Sequence, residues 1–219
     1  DLLFVLQTNS YIAYSNDNLG TNSVVAQLLA GKVPVLGAAD LYLNEHREYG
    51  LSTYSLHSDG SGVAISSRLR PILNMRPKYR HWLSPSLWQL NADLHLTDWL
   101  EEKNFDFDVV TDEDLHLEGV ELLNRYKCVL TGSHPEYSSE KMLAAYEQYQ
   151  LNGGRWIYLG SDGFYWISEY HPDNPNIIEV RKGEAGTRAW TANPGEYNNA
   201  FDGKYGGMWR ARGRIPSKV

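Results

Sequence analysis

Three short apolar runs constrain the fold more than any other feature. Leu2-Leu3-Phe4-Val5-Leu6, Lys127-Cys128-Val129-Leu130-Thr131 and Arg155-Trp156-Ile157-Tyr158-Leu159 show no alternation of apolar and polar residues. A strand of this kind has no solvent face, so it belongs in a parallel sheet covered by helices on both faces. Phe107-Asp108-Val109-Val110-Thr111 reads as a further short strand. Helical stretches separate the runs. Leu87, Leu90 and Leu94 with Trp88, Trp99 and Leu100 give a helical face that starts at Ser84-Pro85 and ends near Asn104. Ser138 or Ser139 caps a helix carrying Met142, Leu143, Tyr146 and Tyr149, closed by Asn152-Gly153-Gly154. A short helix is expected over residues 22–30, and a loop with a short helix over 112–123. The fold class is α/β.

Parallel sheets bind ligands at the carboxyl ends of their strands. Three such ends are polar or glycine-punctuated: 8–14, which begins in the polar turn Gln7-Thr8-Asn9-Ser10, then 132–137 and 160–163. Residues 32–81 have weak periodicity and read as an irregular insertion or loop region. The stretch from 170 onward is irregular too, apart from a strand at Asn176-Ile177-Ile178-Glu179-Val180 and a glycine-rich tail at Gly206-Gly207-Met208-Trp209-Arg210.

Charge and cysteine usage exclude several functions. The 219 residues carry a formal net charge of −7, which argues against a grip on nucleic acid or an anionic membrane. No apolar run approaches the ~20 residues of a membrane helix, and no leader is evident, so a cytoplasmic protein is expected. The chain opens directly on a strand without an initiator Met, as a piece of a longer protein would. A single cysteine rules out an intrachain disulfide and any multi-cysteine metal site, so a metal would need His, carboxylate or phenolate ligands. Tyrosine is overused, 15 against 5 Phe.

The polar loops can be tested against known chemistries. A cysteine nucleophile of the glutamine-amidotransferase type sits at the centre of a Gly-x-Cys-x-Gly turn. Here the matching turn is Gly132-Ser133-His134-Pro135-Glu136, centred on His134, while Cys128 lies inside a strand. Ser133 lacks the second glycine, and no phosphate-cradling glycine pattern follows a strand into a helix. What remains is His134 with Glu136, as a metal-binding pair, an acid–base pair or a solvated loop pair. His46, His57, His81, His95, His116 and His171 lack ligand spacing and read as structural or solvent-facing, which disfavours a histidine-rich zinc centre.

Several segments carry a resemblance in order along the chain. They are Thr8-Asn9-Ser10-Tyr11-Ile12-Ala13-Tyr14-Ser15-Asn16, Gly50-Leu51-Ser52-Thr53-Tyr54, Arg68-Leu69-Arg70-Pro71, the stretch from Asp93 to Asp114 with Trp99-Leu100-Glu101, Gly132-Ser133-His134-Pro135-Glu136-Tyr137-Ser138, and Gly206-Gly207-Met208-Trp209-Arg210-Ala211-Arg212-Gly213-Arg214. Together they resemble the large (beta) subunit family of N,N-dimethylformamidase.

The resemblance implies an amidohydrolase that splits N,N-dimethylformamide or a similar small amide into dimethylamine and formate. It implies a mononuclear ferric iron held by Tyr14, Tyr54 and Glu136, with His134 beside the ligands as a proton shuttle. Asp162 falls where relatives carry Asn, and Pro135 replaces an acidic residue; the catalytic set is therefore Glu136, His134 and Asp162. The implied architecture is a flavodoxin-like sheet of the class I glutamine amidotransferase type, one catalytic domain over 1–219. Its implied partners are a small (alpha) subunit and further copies of the large subunit. The competing readings are a non-catalytic α/β module that binds a small ligand or partner subunit, and a zinc amidase.

Overall fold

A computed structural model describes residues 1–18, 28, 31, 36–82, 86–183 and 196–212. In chain order the strands are β1 (Leu2–Leu6), β2 (Ile65–Ser67), β3 (Phe107–Thr111), β4 (Cys128–Thr131), β5 (Tyr137–Ser138), β6 (Arg155–Ile157), β7 (Trp166–Ile167), β8 (Glu169–His171) and β9 (Asn174–Glu179). The helices are α1 (Thr8–Ala13), α2 (Ala38–Glu45), α3 (Leu90–Glu102), α4 (Asp112–Glu118), α5 (Val120–Leu123), α6 (Glu140–Leu151) and α7 (Trp209–Arg212), with a 3-10 turn at Arg47–Tyr49.

The four runs form one parallel sheet in the order β3-β1-β4-β6, in register Leu3 with Asp108 and Leu3 with Val129. Leu3, Phe4, Val5 and Val129 at its centre are fully buried, which is why those strands lack polar alternation. The edges differ from the expectation of cover on both faces. Val109 on β3 and Ile157 on β6 are each more than two-fifths exposed, and β6 stops at Ile157, leaving Tyr158 and Leu159 exposed beyond it. A separate antiparallel sheet runs β2-β9-β8, and β5 pairs with β7 in parallel. No described helix is long and apolar enough to cross a membrane.

Two helices depart from the sequence reading for the same physical reason. The polar turn expected at 7–10 is the start of α1, whose Asn9 and Ser10 are buried rather than solvated. Asn9 gives its backbone N–H to Asp112 Oδ2 at 2.9 Å and accepts from the Tyr170 hydroxyl at 2.5 Å. Helix α3 starts at Leu90, and Ser84-Pro85 lies outside the described residues. Its buried side carries Asn91, Asp93 and Leu100, while Leu94 and Trp99 are about half exposed. Asp93 accepts hydrogen bonds from the Tyr11 hydroxyl and, at 2.6 Å, from the Ser133 N–H. Buried polar residues that bond across the fold invert the simple apolar-face pattern.

Residues 112–123 form two helices instead of a loop and one. Thr111 caps α4 by accepting from the Asp114 N–H at 3.2 Å, and the Asp114 carboxylate in turn accepts from the Thr111 N–H at 2.8 Å. The region 32–81 contains α2, the 3-10 turn and β2. It is bound down by Arg70, whose guanidinium donates to the carbonyls of Ser15, Tyr49 and Leu51 and to Ser66 Oγ at 2.9–3.3 Å. Gly50 takes a φ of 86° directly against that guanidinium, where a side chain has no room. The helix expected at 22–30 lies, but for Leu28, outside the described residues, as does the tail beyond Arg212.

Helix α6 is capped by Ser139, whose Oγ accepts from the Met142 N–H at 3.3 Å while lying 2.8 Å from His116 Nδ1. Neutral His116 accepts the Ser139 proton and leaves the oxygen free to cap; a protonated ring would compete as a donor. Burial, with a smaller effect from Lys141, pushes His116 down to about 4. Below about 6.5 the unfolded chain therefore takes up a proton that the folded chain refuses, so stability falls as pH drops from 6.5 towards 4. With solvent access around the ring allowed for, the loss is roughly 1–2 kcal/mol. Thermal unfolding followed from pH 7 to pH 5 is expected to show a steeper decline for the wild type than for His116→Gln, which keeps an acceptor without a titrating ring; equal slopes would refute this origin.

Candidate active site

The carboxyl ends of β1, β4 and β6 open into loops that meet. Tyr14 is the C-cap of α1, directly after β1, and is 6% exposed; its carbonyl accepts from the Asp17 N–H at 3.0 Å and from Asn74 Nδ2 at 2.7 Å. The loop 132–136 after β4 is clipped from two sides. The Ser10 hydroxyl donates to the His134 carbonyl at 2.7 Å, and the N–H groups of Ser161 and Phe164 donate to Ser133 and Pro135 carbonyls at 3.1 and 2.8 Å. Gly132 packs on the Asp93 carboxyl so tightly that a Cβ there would lie 2.7 Å from its oxygens. Tyr54 arrives from the 50–64 stretch, with Thr53 bonded to the Ala13 carbonyl through both its N–H and its hydroxyl at 3.1 Å.

These ties bring three oxygens together. The Tyr54 hydroxyl donates to the Tyr14 hydroxyl at 2.7 Å and lies 3.1 Å from Glu136 Oε1. The Tyr14 and Tyr54 rings are tilted against each other with centres 4.5 Å apart. Glu136 is 5% exposed. Burial pushes its carboxyl up, but the His134 hydrogen bond and charge, the Lys182 ammonium and the Tyr14 hydroxyl outweigh that and hold it below the ordinary glutamate range. His134 Nε2 lies 3.0 Å from Glu136 Oε2, and its Nδ1 lies 3.3 Å from Ser161 Oγ. With Glu136 ionised, Nε2 carries the proton and Nδ1 accepts from the serine.

Of the residues singled out in the sequence, Tyr14, Tyr54, Glu136 and His134 converge. Asp162 stands at the rim, its side chain 64% exposed, its Oδ2 3.9 Å from His134 Nε2 and its φ at 52°. Four features escaped the sequence reading. Tyr137 is 1% exposed and donates to the Tyr54 hydroxyl at 2.5 Å; burial and the neighbouring Glu136 charge push its phenol well above the usual range. Lys182 is fully buried, with its ammonium 2.8 Å from the centre of the Tyr54 ring. Trp88 lies against His134, Tyr14 and His81 with ring centres 5.1–5.9 Å apart. His81 is buried and paired with Asp17 at 2.8 Å. Tyr137 adjoins Glu136 in sequence and was within reach of a motif reading; the others gave no local signal. Cys128 is partly buried in β4, its thiol pushed up by burial, as expected of a structural cysteine.

Among the described residues no group of three or more His, Cys, Asp or Glu is placed to hold a metal ion. A metal at this site would therefore draw on phenol oxygens together with Glu136.

Comparison with known proteins places the chain. It is 48% identical over all 219 residues to the N,N-dimethylformamidase beta subunits of Alcaligenes sp and of Paracoccus aminophilus, and it spans 28% of the length of each. The family described as N,N-dimethylformamidase beta subunit-like, C-terminal, matches residues 1–219, and the chain belongs to that family.

Proposed function

We propose that the chain is the iron-bearing catalytic domain of an amidohydrolase that cleaves N,N-dimethylformamide, or a similarly small amide, to dimethylamine and formate. The observation that carries this reading is the convergence of the Tyr14, Tyr54 and Glu136 oxygens, the Tyr54 hydroxyl lying 2.7 Å from that of Tyr14 and 3.1 Å from Glu136 Oε1 across 40 and 82 residues of chain. Three hard oxygen donors fit a ferric ion, and the buried, ionised Glu136 adds the negative charge such an ion favours. Tyr14, Tyr54 and Glu136 would hold it. When bound, the ion supplies Lewis acidity toward the amide oxygen and toward water.

The chain's own groups do the rest. The Lys182 ammonium against the Tyr54 face favours negative charge on that ring. His134 Nε2, between Glu136 and Asp162, holds a proton at the point where the amine departs. As the water oxygen bonds to the carbonyl carbon and the C–N bond breaks, the Nε2 proton passes to the departing amine nitrogen and the proton the water gives up returns to the imidazole, so His134 ends as it began. Ser161 fixes the imidazole's orientation from the other side, and Trp88 walls it from solvent. Asp162 sets the polarity of the entrance.

The strand order of the parallel sheet is second, first, third, fourth when its members are numbered along the chain. That is the opening of the flavodoxin-like order and supports a flavodoxin-like sheet of the glutamine amidotransferase type. The relatives are named beta subunits, which supports a place in a multi-subunit enzyme; a small subunit and further copies of this chain are its proposed partners.

Purified protein is expected to hold one iron per chain and to show a purple or amber tyrosinate-to-iron absorption band. The band is expected to vanish in Tyr14→Phe and in Glu136→Ala. Colourless, metal-free protein of full stability would sink the reading, and zinc in place of iron by elemental analysis would turn it towards a zinc amidase.

His134→Gln is expected to keep the iron band and lose activity about 10²–10⁴-fold, the usual worth of a positioned acid–base group. A variant with near-normal turnover would remove His134 from proton transfer.

A further inference from the structure

Behind the two tyrosines lies a buried ionisable pair that the reaction does not use. Asp17 follows Tyr14 by three residues, in the turn that leaves α1, where Asn16 takes a left-handed φ of 58°. Its Oδ2 lies 2.8 Å from His81 Nε2, and the two side chains are 1% and 0% exposed. Its Oδ1 accepts from Ser52 Oγ at 3.3 Å, and the same Ser52 Oγ accepts the Tyr54 backbone N–H at 3.0 Å. A run of hydrogen bonds therefore leads from the turn that carries Tyr14 to the backbone nitrogen of Tyr54. From the other side, the His81 ring meets Tyr14 edge-on at 6.1 Å and stacks on Trp88 at 5.3 Å.

A buried carboxylate is tolerated only while it is paired, and removing one member leaves the other uncompensated. The pair thus tolerates few arrangements. Its two anchors act on the backbone that carries the tyrosines, through the Asp17 N–H to the Tyr14 carbonyl at 3.0 Å and through Ser52 to the Tyr54 N–H, whereas apolar packing alone lets aromatic rings slide.

We propose that Asp17 and His81, acting through Ser52, form a positioning brace that fixes the separation of the Tyr14 and Tyr54 hydroxyls and thereby sets how tightly they take up a hard trivalent cation. The second half of this statement rests on the reading of the tyrosines as metal ligands; the first half does not.

The test uses the full-length protein and the variants Asp17→Ala, Asp17→Asn and Ser52→Ala. Each is crystallised after chelation and titrated with ferric ion while the tyrosinate band is followed. In Asp17→Ala the hydroxyls are expected to part beyond about 3.5 Å, out of hydrogen-bonding reach. Ferric affinity should fall about 10–100-fold, as it does when groups that orient ligands are lost, and the band should shift. Asp17→Asn can offer its oxygen to one partner and its amide N–H to the other, with His81 changing tautomer, so it should restore both readings. If Asp17→Ala fails to fold, Ser52→Ala, which leaves the Asp17–His81 pair and removes the link to Tyr54 together with a 3.5 Å contact to Ser55 Oγ, is expected to give the same changes in smaller measure. Hydroxyls that keep their wild-type separation in the metal-free Asp17→Ala or Ser52→Ala structure would overturn the brace, whatever happens to metal. Should the wild type take up no ferric ion while the hydroxyls part in the variants, the metal reading falls and the brace stands.

Discussion

Four side-chain oxygens from Tyr14, Tyr54, Tyr137 and Glu136 are crowded into a buried space, and the rest of the structure is arranged around keeping them there. Apolar packing cannot hold such a group, because each oxygen has left water and needs a partner or a compensating charge. The partners are partly each other, at 2.5–3.1 Å, and partly His134 and the Lys182 ammonium. A second layer of polar side chains then holds the backbone that carries them. Arg70 gathers three carbonyls of the flanking loops, and Asp93 fixes the loop of His134 through the Ser133 N–H. The sheet beneath, with Leu3, Phe4, Val5 and Val129 fully buried, supplies the rigid floor.

This division between floor and site explains what could be read from the sequence. Strands β1 and β4 were legible because both faces are buried and every residue along them had to be apolar or small. Helix α6 was legible from a serine cap and a periodic face. Helix α1 was not: Thr8, Asn9 and Ser10 look like a solvated turn, yet their side chains serve residues more than a hundred positions away, namely Asp112, Tyr170 and His134. Helix α3 misled for the same reason, since its buried Asp93 answers to Tyr11 and Ser133 and its Trp99 faces outward.

The site divides in the same way. His134 and Glu136 stand two apart after a strand and remained as candidates once other chemistries were eliminated, with a solvated loop pair still open. Tyr14 and Tyr54 came only through the resemblance, because nothing local separates a tyrosine that meets another tyrosine from one that packs in the core. The excess of tyrosine reflects both uses: Tyr146 stacks on Trp156 and Tyr149 donates to the Tyr126 carbonyl, far from the convergent oxygens. Lys182 and the Asp17–His81 pair carried no signal, since their meaning lies in neighbours 128 and 64 positions distant.

The wide spacing of the site along the chain has a consequence for how the protein comes into being. Contacts between residues 40 to 83 positions apart close large loops, and that entropy must be spent before any of them helps. Parallel pairing of β1 with β3 and β4 spans still longer separations, so the floor itself forms slowly. The oxygen cluster then has no early, local version of itself. A nascent or unfolded chain offers a cation only scattered tyrosines and carboxylates, because the pocket draws Tyr14, Tyr54 and Glu136 together from 40 and 82 positions apart. Any ion it binds acts on the finished molecule, drawing the last equilibrium toward the native state by mass action instead of guiding the chain there.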